Sequence, residues 1–227
     1  MPEPTKLWYL KNFDLFSELS TASLAELSDQ TEMHTFCKKE IISFPPTYRK
    51  YIHFLKIGHV KIYRLSEGGQ EVIVELLGPG EIFGDLPCDE DANDDAVEIT
   101  ETLDKGLLCT MRQQEFLEFA NAHPCLNRRL LKWMVLRFRR IESRLEDLVC
   151  KDARHRIYSF IRQYAQDFGK QRNGLIVMPK FLSQEEIAFV TATSRQTVAS
   201  TLNDLRRDGV LDFTRSSMTI YQPGQLS

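Results

Sequence analysis

After Pro124 the chain runs for 30 residues without a glycine or a proline, in a composition rich in leucine, arginine and glutamate. Nothing in that run interrupts helical hydrogen bonding, so it reads as one long helix. Along it Leu131, Met134, Phe138, Ile141, Leu145 and Leu148 are separated by 3, 4, 3, 4 and 3 residues. That spacing averages 3.5 residues per turn and lays the six side chains along one seam. A seam of this kind is buried by a second helix, and the expectation is a homodimer joined through residues 124–150. Packing of the seam against the chain's own sheet is the alternative. Leu130, Trp133 and Leu136 lie off the seam and are placed to face the rest of the subunit.

The 227 residues suit two modest domains, and 42% hydrophobic with 27% charged residues is ordinary globular composition. No stretch approaches the roughly 18 to 20 apolar residues that cross a bilayer. The opening Met1-Pro2-Glu3-Pro4-Thr5-Lys6 has no basic region followed by an apolar one. Membrane and secreted classes are set aside. Five cysteines, Cys37, Cys88, Cys109, Cys125 and Cys150, stand at least 16 residues apart, unlike the clustered thiols of disulfide scaffolds and zinc sites, which points to a reducing cytoplasm. The sequence has no CxxC, HExxH, GxSxG or P-loop pattern, so nothing nominates an enzyme or a metal site. The net charge of −3 divides unevenly: 18 Lys/Arg against 25 Asp/Glu over 1–150, then 11 against 7 over 151–227. The basic third permits nucleic-acid contact without demanding it. The stretch from Asp85 to Asp104 holds nine carboxylates and no cation, and it repels phosphate.

Leu15, Phe16 and Leu19, then Leu24 and Leu27 after the capping residues Ser20 and Thr21, give a short helical opening. From about Ile41 the period changes. Phe54, Ile57, Val60, Ile62 and Leu65, then Val72, Val74 and Leu76, sit in short segments cut by Gly58, Gly68-Gly69, Gly78-Pro79-Gly80 and Gly84. Short strands at this spacing predict a small antiparallel barrel or roll, with the acidic stretch as a loop and one more strand at Val97 to Thr102.

Near the C-terminus Ser183 with Glu186 forms a capping box, and Ser194 is a second N-cap eleven residues later. Two helices joined by a turn of three or four residues are a helix-turn-helix. Ala188 falls where the helices cross, while Ile187, Val198 and Leu202 form their shared core. Arg195, Gln196, Thr197 and Ser200 are left outside at the start of the second helix, and Arg and Gln are the side chains that bond guanine and adenine bidentately. A solvated helical hairpin is the bland alternative. The following Arg206-Arg207-Asp208-Gly209 is a helix stop, and alternation around Arg215-Ser216-Ser217 is a β-hairpin, which makes the pair a winged helix.

In Gly58-His59-Val60, Glu67-Gly68-Gly69-Gln70-Glu71, Gly78-Pro79-Gly80-Glu81-Ile82-Phe83-Gly84-Asp85-Leu86, the seam helix and Ser194-Arg195-Gln196-Thr197-Val198, the chain resembles the cyclic AMP receptor protein/FNR superfamily of bacterial transcription regulators from about residue 13 to 222. The resemblance implies an α+β chain. An N-terminal antiparallel β-roll, the cyclic-nucleotide-binding jelly roll, would occupy 1–123, a dimerisation helix 124–150 and a winged helix-turn-helix 151–227. It implies a cytoplasmic homodimer that binds palindromic double-stranded DNA with helix 194–207 and acts on RNA polymerase. By position Arg195 is then a guanine reader, Gln196 and Ser200 two further base-reading residues, and Ser183, Ser194 and Thr197 phosphate contacts. Ala192 stands where many members carry Gly in the turn, a strained place if φ is positive.

In nucleotide-binding members a Phe-Gly-Glu-Leu run is followed by an Arg-Ser pair that holds the cyclic phosphate. Here the run is Phe83-Gly84-Asp85-Leu86, and an ungapped count puts Asp95 and Ala96 at the pair. Gly84, Asp85, Leu86, Asp95 and Ala96 therefore describe a vestigial effector pocket. Like charges about 4 Å apart cost roughly 4 kcal/mol at an effective dielectric of about 20, enough to abolish micromolar binding. Cyclic AMP and cyclic GMP are rejected as effectors. Iron–sulfur sensing is rejected too, since Cys37 is the only cysteine before residue 88. No cofactor is expected, although haem held by His34, His53, His59, Cys88 or Pro2 stays open, as does oxidation of Cys37 or Cys88. The alternative function is a sensory module that binds haem or another small ligand and uses its C-terminal domain for protein contacts.

Overall fold

The computed structural model describes residues 6–43, 51–84, 98–179 and 182–226. They divide between two compact units, 1–65 with 75–139 and 66–74 with 140–227.

The first unit opens with α1 (Lys6–Lys11), a single 3₁₀ turn at Asp14–Phe16 and α2 (Thr21–Asp29). The Ser20 hydroxyl caps α2 by accepting the Ser23 N–H at 3.1 Å. Eight strands follow: β1 (Glu32–Phe36), β2 (Ile41–Ser43), β3 (Tyr51–Ile57), β4 (Val60–Leu65), β5 (Glu71–Leu77), β6 (Ile82–Gly84), β7 (Glu98–Thr102) and β8 (Gly106–Arg112). They form two four-stranded sheets, β1-β8-β3-β6 and β2-β7-β4-β5, with antiparallel neighbours at β1·β8, β3·β8, β3·β6, β2·β7 and β4·β7. The strand period of two explains the two cores. In β3, Ile52 and Phe54 point to one side, where they pack with Phe13, Phe16, Leu24 and Leu27 of the N-terminal segment and with Met111. Leu55 points to the other side and meets Val60, Ile62, Leu77, Phe83 and Leu108 between the sheets. A strand buried on both faces loses its polar alternation. Gly84 ends β6 with φ +121°, and a Cβ there would sit 2.4 Å from the Tyr51 carbonyl oxygen.

α3 (Gln113–Ala122) then leads into α4 (Pro124–Cys150). Leu126 and Leu130 of α4 are buried in the helical core and Trp133 packs against it, whereas Leu136 is 48% exposed. Leu136 nevertheless lines a shallow cleft with Leu15, Gly80, Ile82 and Trp133 of the same unit. The six seam residues, Leu131, Met134, Phe138, Ile141, Leu145 and Leu148, are between 49% and 63% exposed, a continuous apolar stripe open on the single subunit.

In the second unit α5 (Ala153–Phe168) follows α4 after Lys151 and Asp152. Next come β9 (Lys170–Arg172), β10 (Leu175–Pro179), α6 (Gln184–Val190), α7 (Arg195–Arg207), β11 (Leu211–Phe213), β12 (Ser217–Ile220) and a 3₁₀ turn at Pro223–Gln225. The sheet order is β11-β12-β10-β9. α7 stops at Gly209, whose φ of +70° is open to glycine, and the Val210 N–H reaches back to the Leu205 carbonyl at 2.9 Å.

Candidate nucleic-acid interface

Local hydrogen bonds set the two helix starts. The Ser183 hydroxyl accepts the Glu186 N–H at 3.1 Å while the Glu186 carboxylate accepts the Ser183 N–H at 2.8 Å. At α7 the Ser194 hydroxyl accepts the Thr197 N–H at 3.0 Å, and the Ser194 and Thr197 hydroxyls lie 2.8 Å apart. Ile187, Ala188, Val198, Leu202 and Leu205 are buried, so the apolar stripe of α7 is consumed by the α6 contact and the unit's core. What remains outside is polar. Arg195, Gln196 and Ser200 are exposed on the first two turns, and among the described residues they make no hydrogen bond or ion pair. No acid occupies the first turn of α7, which leaves its N-terminal dipole and free N–H groups available to an anion. Ser183 and Ser194 are exposed and Thr197 is half-buried.

The far end of α7 is tied to the hairpin: Arg206 bonds Asp212 at 2.7 Å and lies over the Phe213 ring at 5.2 Å. Thr214 shapes the hairpin tip, its hydroxyl accepting the N–H groups of Ser216 and Ser217 at 3.2 and 3.1 Å. On the other side of α7, Arg154 of α5 bonds Asp204 at 2.9 Å. In the turn between α6 and α7, Ala192 has φ +48°. The Arg156 guanidinium donates to the carbonyls of Thr191 at 2.9 Å, Ala192 at 3.0 Å and Lys151 at 2.8 Å. Arg156 has no signal in the local sequence, because its two turn partners lie 35 and 36 residues away.

In the first unit, Asp85, Leu86, Asp95 and Ala96 of the expected vestigial pocket, with Pro2 and Cys88, lie outside the described residues. Gly84 is placed at the end of β6. Of the three histidines considered for haem, His34 is exposed beside Glu32 and His59 bonds Asp104 at 2.7 Å. His53 is buried, stacked 4.8 Å from Phe83 and 3.1 Å from the Thr110 hydroxyl. Burial pushes the His53 imidazole down to about 4, with the charge of His34 a lesser cause. Two lysines are buried as well. Lys61 lies 3.6 Å from Glu101 and over Tyr63, and Lys56, over the Tyr9 ring, has its ammonium disfavoured by burial. On α4, Arg137 bonds Glu75 at 2.5 Å and covers the Trp133 ring. Among the described residues no three His, Cys, Asp or Glu side chains gather as metal ligands, and no helix is long and apolar enough to cross a membrane.

Residues 33–123 match the cyclic nucleotide-binding domain family, and residues 155–227 match the Crp-like helix-turn-helix domain. The chain belongs to the cyclic AMP receptor protein/FNR superfamily. This superfamily member is 28% identical to the global nitrogen regulator of Synechocystis over 195 residues, 86% of this chain and 87% of that protein. It is 26% identical to the CRP-like cAMP-activated global transcriptional regulator of Mycobacterium tuberculosis over 215 residues, 94% of each. Its fold is that of a CooA variant from Carboxydothermus hydrogenoformans, with a TM-score of 0.73 at 24% identity covering 98% of this chain and 94% of the other. FixK2 from Bradyrhizobium japonicum gives 0.73 at 18%, covering 86% and 95%. As a cyclic AMP receptor protein/FNR regulator, the chain carries a helix-turn-helix DNA-binding domain.

Proposed function

We propose that the chain is a homodimeric transcription regulator that reads a palindromic operator with α7 and whose β-roll takes no cyclic nucleotide. The observation that carries this reading is the set of free polar side chains, Arg195, Gln196 and Ser200, on the exposed start of a helix whose other face is buried. Arg195 bonds guanine O6 and N7 in the major groove, and Gln196 and Ser200 read neighbouring base edges. Ser183, Ser194 and Thr197 hold phosphates, which fixes register without carrying base identity.

The exposed seam on α4 supports a second copy as its occupant. Two identical helices with apolar residues at 3.5 spacing bury each other's stripe, and a twofold dimer presents two copies of α7 to an inverted repeat. In this reading 1–123 is the sensor, 124–150 the dimer helix and 151–227 the DNA-binding part. The protein works in the cytoplasm, engages RNA polymerase and catalyses no reaction. The M. tuberculosis relative is named as cAMP-activated, but the cation-free acidic stretch from Asp85 to Asp104 argues against that effector here.

Recovery of genomic DNA on the purified protein tests the proposal. The expected result is enrichment of an inverted repeat with half-site centres about 10 to 10.5 base pairs apart, or a multiple of it. Recovery without a shared sequence would sink the operator reading.

A further inference from the structure

Ala192 occupies a backbone region that costs an L-residue free energy, with φ +48°. The turn holds it there with few bonds of its own. The Thr191 hydroxyl donates to the Ile187 carbonyl at 2.8 Å, and the Thr193 N–H to the Ala188 carbonyl at 3.0 Å. The carbonyls of Thr191 and Ala192 are then captured together by one guanidinium, that of Arg156. The same group also holds the carbonyl of Lys151, the residue that follows α4: its N–H donates to the Asp147 carbonyl at 3.1 Å, and its ammonium bonds the Asp147 carboxylate at 2.6 Å and the Ser159 hydroxyl at 2.7 Å. The next residue, Asp152, caps α5 by accepting the His155 N–H at 2.9 Å.

We infer that Arg156 is a positioning residue for DNA reading: it clamps the helix-turn-helix turn in its left-handed conformation and fastens that turn to the α4–α5 junction. The inference rests on the DNA-reading proposal above. A planar guanidinium suits the task, because its donors fan out in a fixed fork and reach three carbonyls at once. An ammonium has no such fork. With the clamp gone, Ala192 relaxes toward commoner φ values, and the entry angle of α7, which begins three residues later, loses its definition. The sequence alternative is a glycine at 192, which holds positive φ without help. Arginine at 156 with alanine at 192 is thus one solution, and glycine at 192 makes the arginine dispensable.

The test is a cycle of Arg156→Gln, Ala192→Gly and the double variant in the full-length protein. Two measurements are made: amide exchange at Thr193, and affinity for an operator selected by the wild type. Arg156→Gln is expected to speed Thr193 exchange about tenfold and to weaken operator binding about tenfold per subunit, the equivalent of one charge-assisted hydrogen bond. Ala192→Gly should restore most of both losses in the double variant while changing the wild type less than about threefold. Should Arg156→Gln fail to fold, Arg156→Lys takes its place and is expected to show the same losses in part. Unchanged exchange and affinity in the Arg156 variant overturn the inference, and so do losses that Ala192→Gly does not repair, because the arginine would then act elsewhere than through the turn. If the wild type selects no operator, the DNA-reading proposal fails, and exchange at Thr193 still decides the clamp.

Discussion

His53 gives the first unit a dependence on pH whose size can be worked out. Its ring lies among buried side chains against Phe83, and burial pulls its titration from 6.5 down to about 4. The native state holds the neutral ring, while the unfolded chain takes up a proton below pH 6.5. The stability is therefore intact above 6.5, declines as pH falls, and stops declining on this account below about 4. At about 1.4 kcal/mol per pH unit the full loss is about 3 kcal/mol, most of which has gone by pH 4.5. His53→Phe keeps a ring to stack on Phe83 and removes the titration. It leaves the Thr110 hydroxyl without its partner, a cost that does not vary with pH. Urea unfolding of both proteins at pH 7.5 and 4.5 measures the effect, followed by tryptophan fluorescence, since Trp8 and Trp133 both belong to this unit. Carboxylates titrate alike in the two proteins and cancel in the comparison. The wild type should lose about 2 to 3 kcal/mol more than the variant between the two pH values. Parallel losses would show that His53 is protonated in the folded protein, and the reasoning from its burial would be wrong.

Phe138→Glu with Ile141→Glu places two carboxylates in the proposed dimer seam, and sedimentation should then report a monomer or an unfolded chain; an unchanged dimer mass removes the seam from the interface. Calorimetry with cyclic AMP or cyclic GMP is expected to show no micromolar binding, and heat of binding in that range would refute the reading of Asp95 and Ala96. Arg195→Ala should cost about 1 to 3 kcal/mol per half-site and relax preference at one base, whereas Thr197→Ala should weaken all sequences alike. A library of operator variants separates the two patterns, and an unchanged preference in Arg195→Ala excludes that residue from base reading.

The parts of the fold that were legible in the sequence are those written in neighbouring residues. The caps at Ser20, Ser183 and Ser194 lie three residues from the N–H groups they accept, and the seam of α4 lies within one helix. Elements whose ends depend on distant packing were passed over. α3 has no side-chain cap at Arg112, and its place is fixed by Phe116, Phe119 and Ala120 entering the core. α5 carries a local signal, Asp152 as its cap and Ile157, Ile161 and Tyr164 on one face, and the break before it falls at the expected end of the seam helix. Helical spacing ranks Leu136 beside Trp133, but it cannot say that Leu136 stays half exposed at the edge of the packed surface. The burial of His53, Lys56 and Lys61 was invisible for a similar reason, since a polar residue in a strand alternates outward unless the other face is covered too. In the candidate interface, the exposed start of α7 was legible and Arg156 was not.

The ladder between β10 and β12 runs from Ile176 opposite Ile220 to Pro179 opposite Ser217. β10 leads into the reading helices, and β11, which follows them, rejoins the same sheet on the far side of β12. Everything between is a closed insert on a fixed base. Such an insert can be exchanged between relatives without disturbing what lies beneath, provided the residues that enter and leave the ladder keep their register. Tolerance to change in length is uneven around it. The Asn173-Gly174 and Thr214–Ser217 turns are exposed tips and accept extra residues. The step from α7 through Gly209 to β11 is the tight one, because the Val210 N–H bonds the Leu205 carbonyl and the Val210 carbonyl accepts the Tyr221 N–H, and an added residue there separates the two. Divergence of binding specificity in such a chain is therefore cheap in the helices and closed off at the joint that follows them.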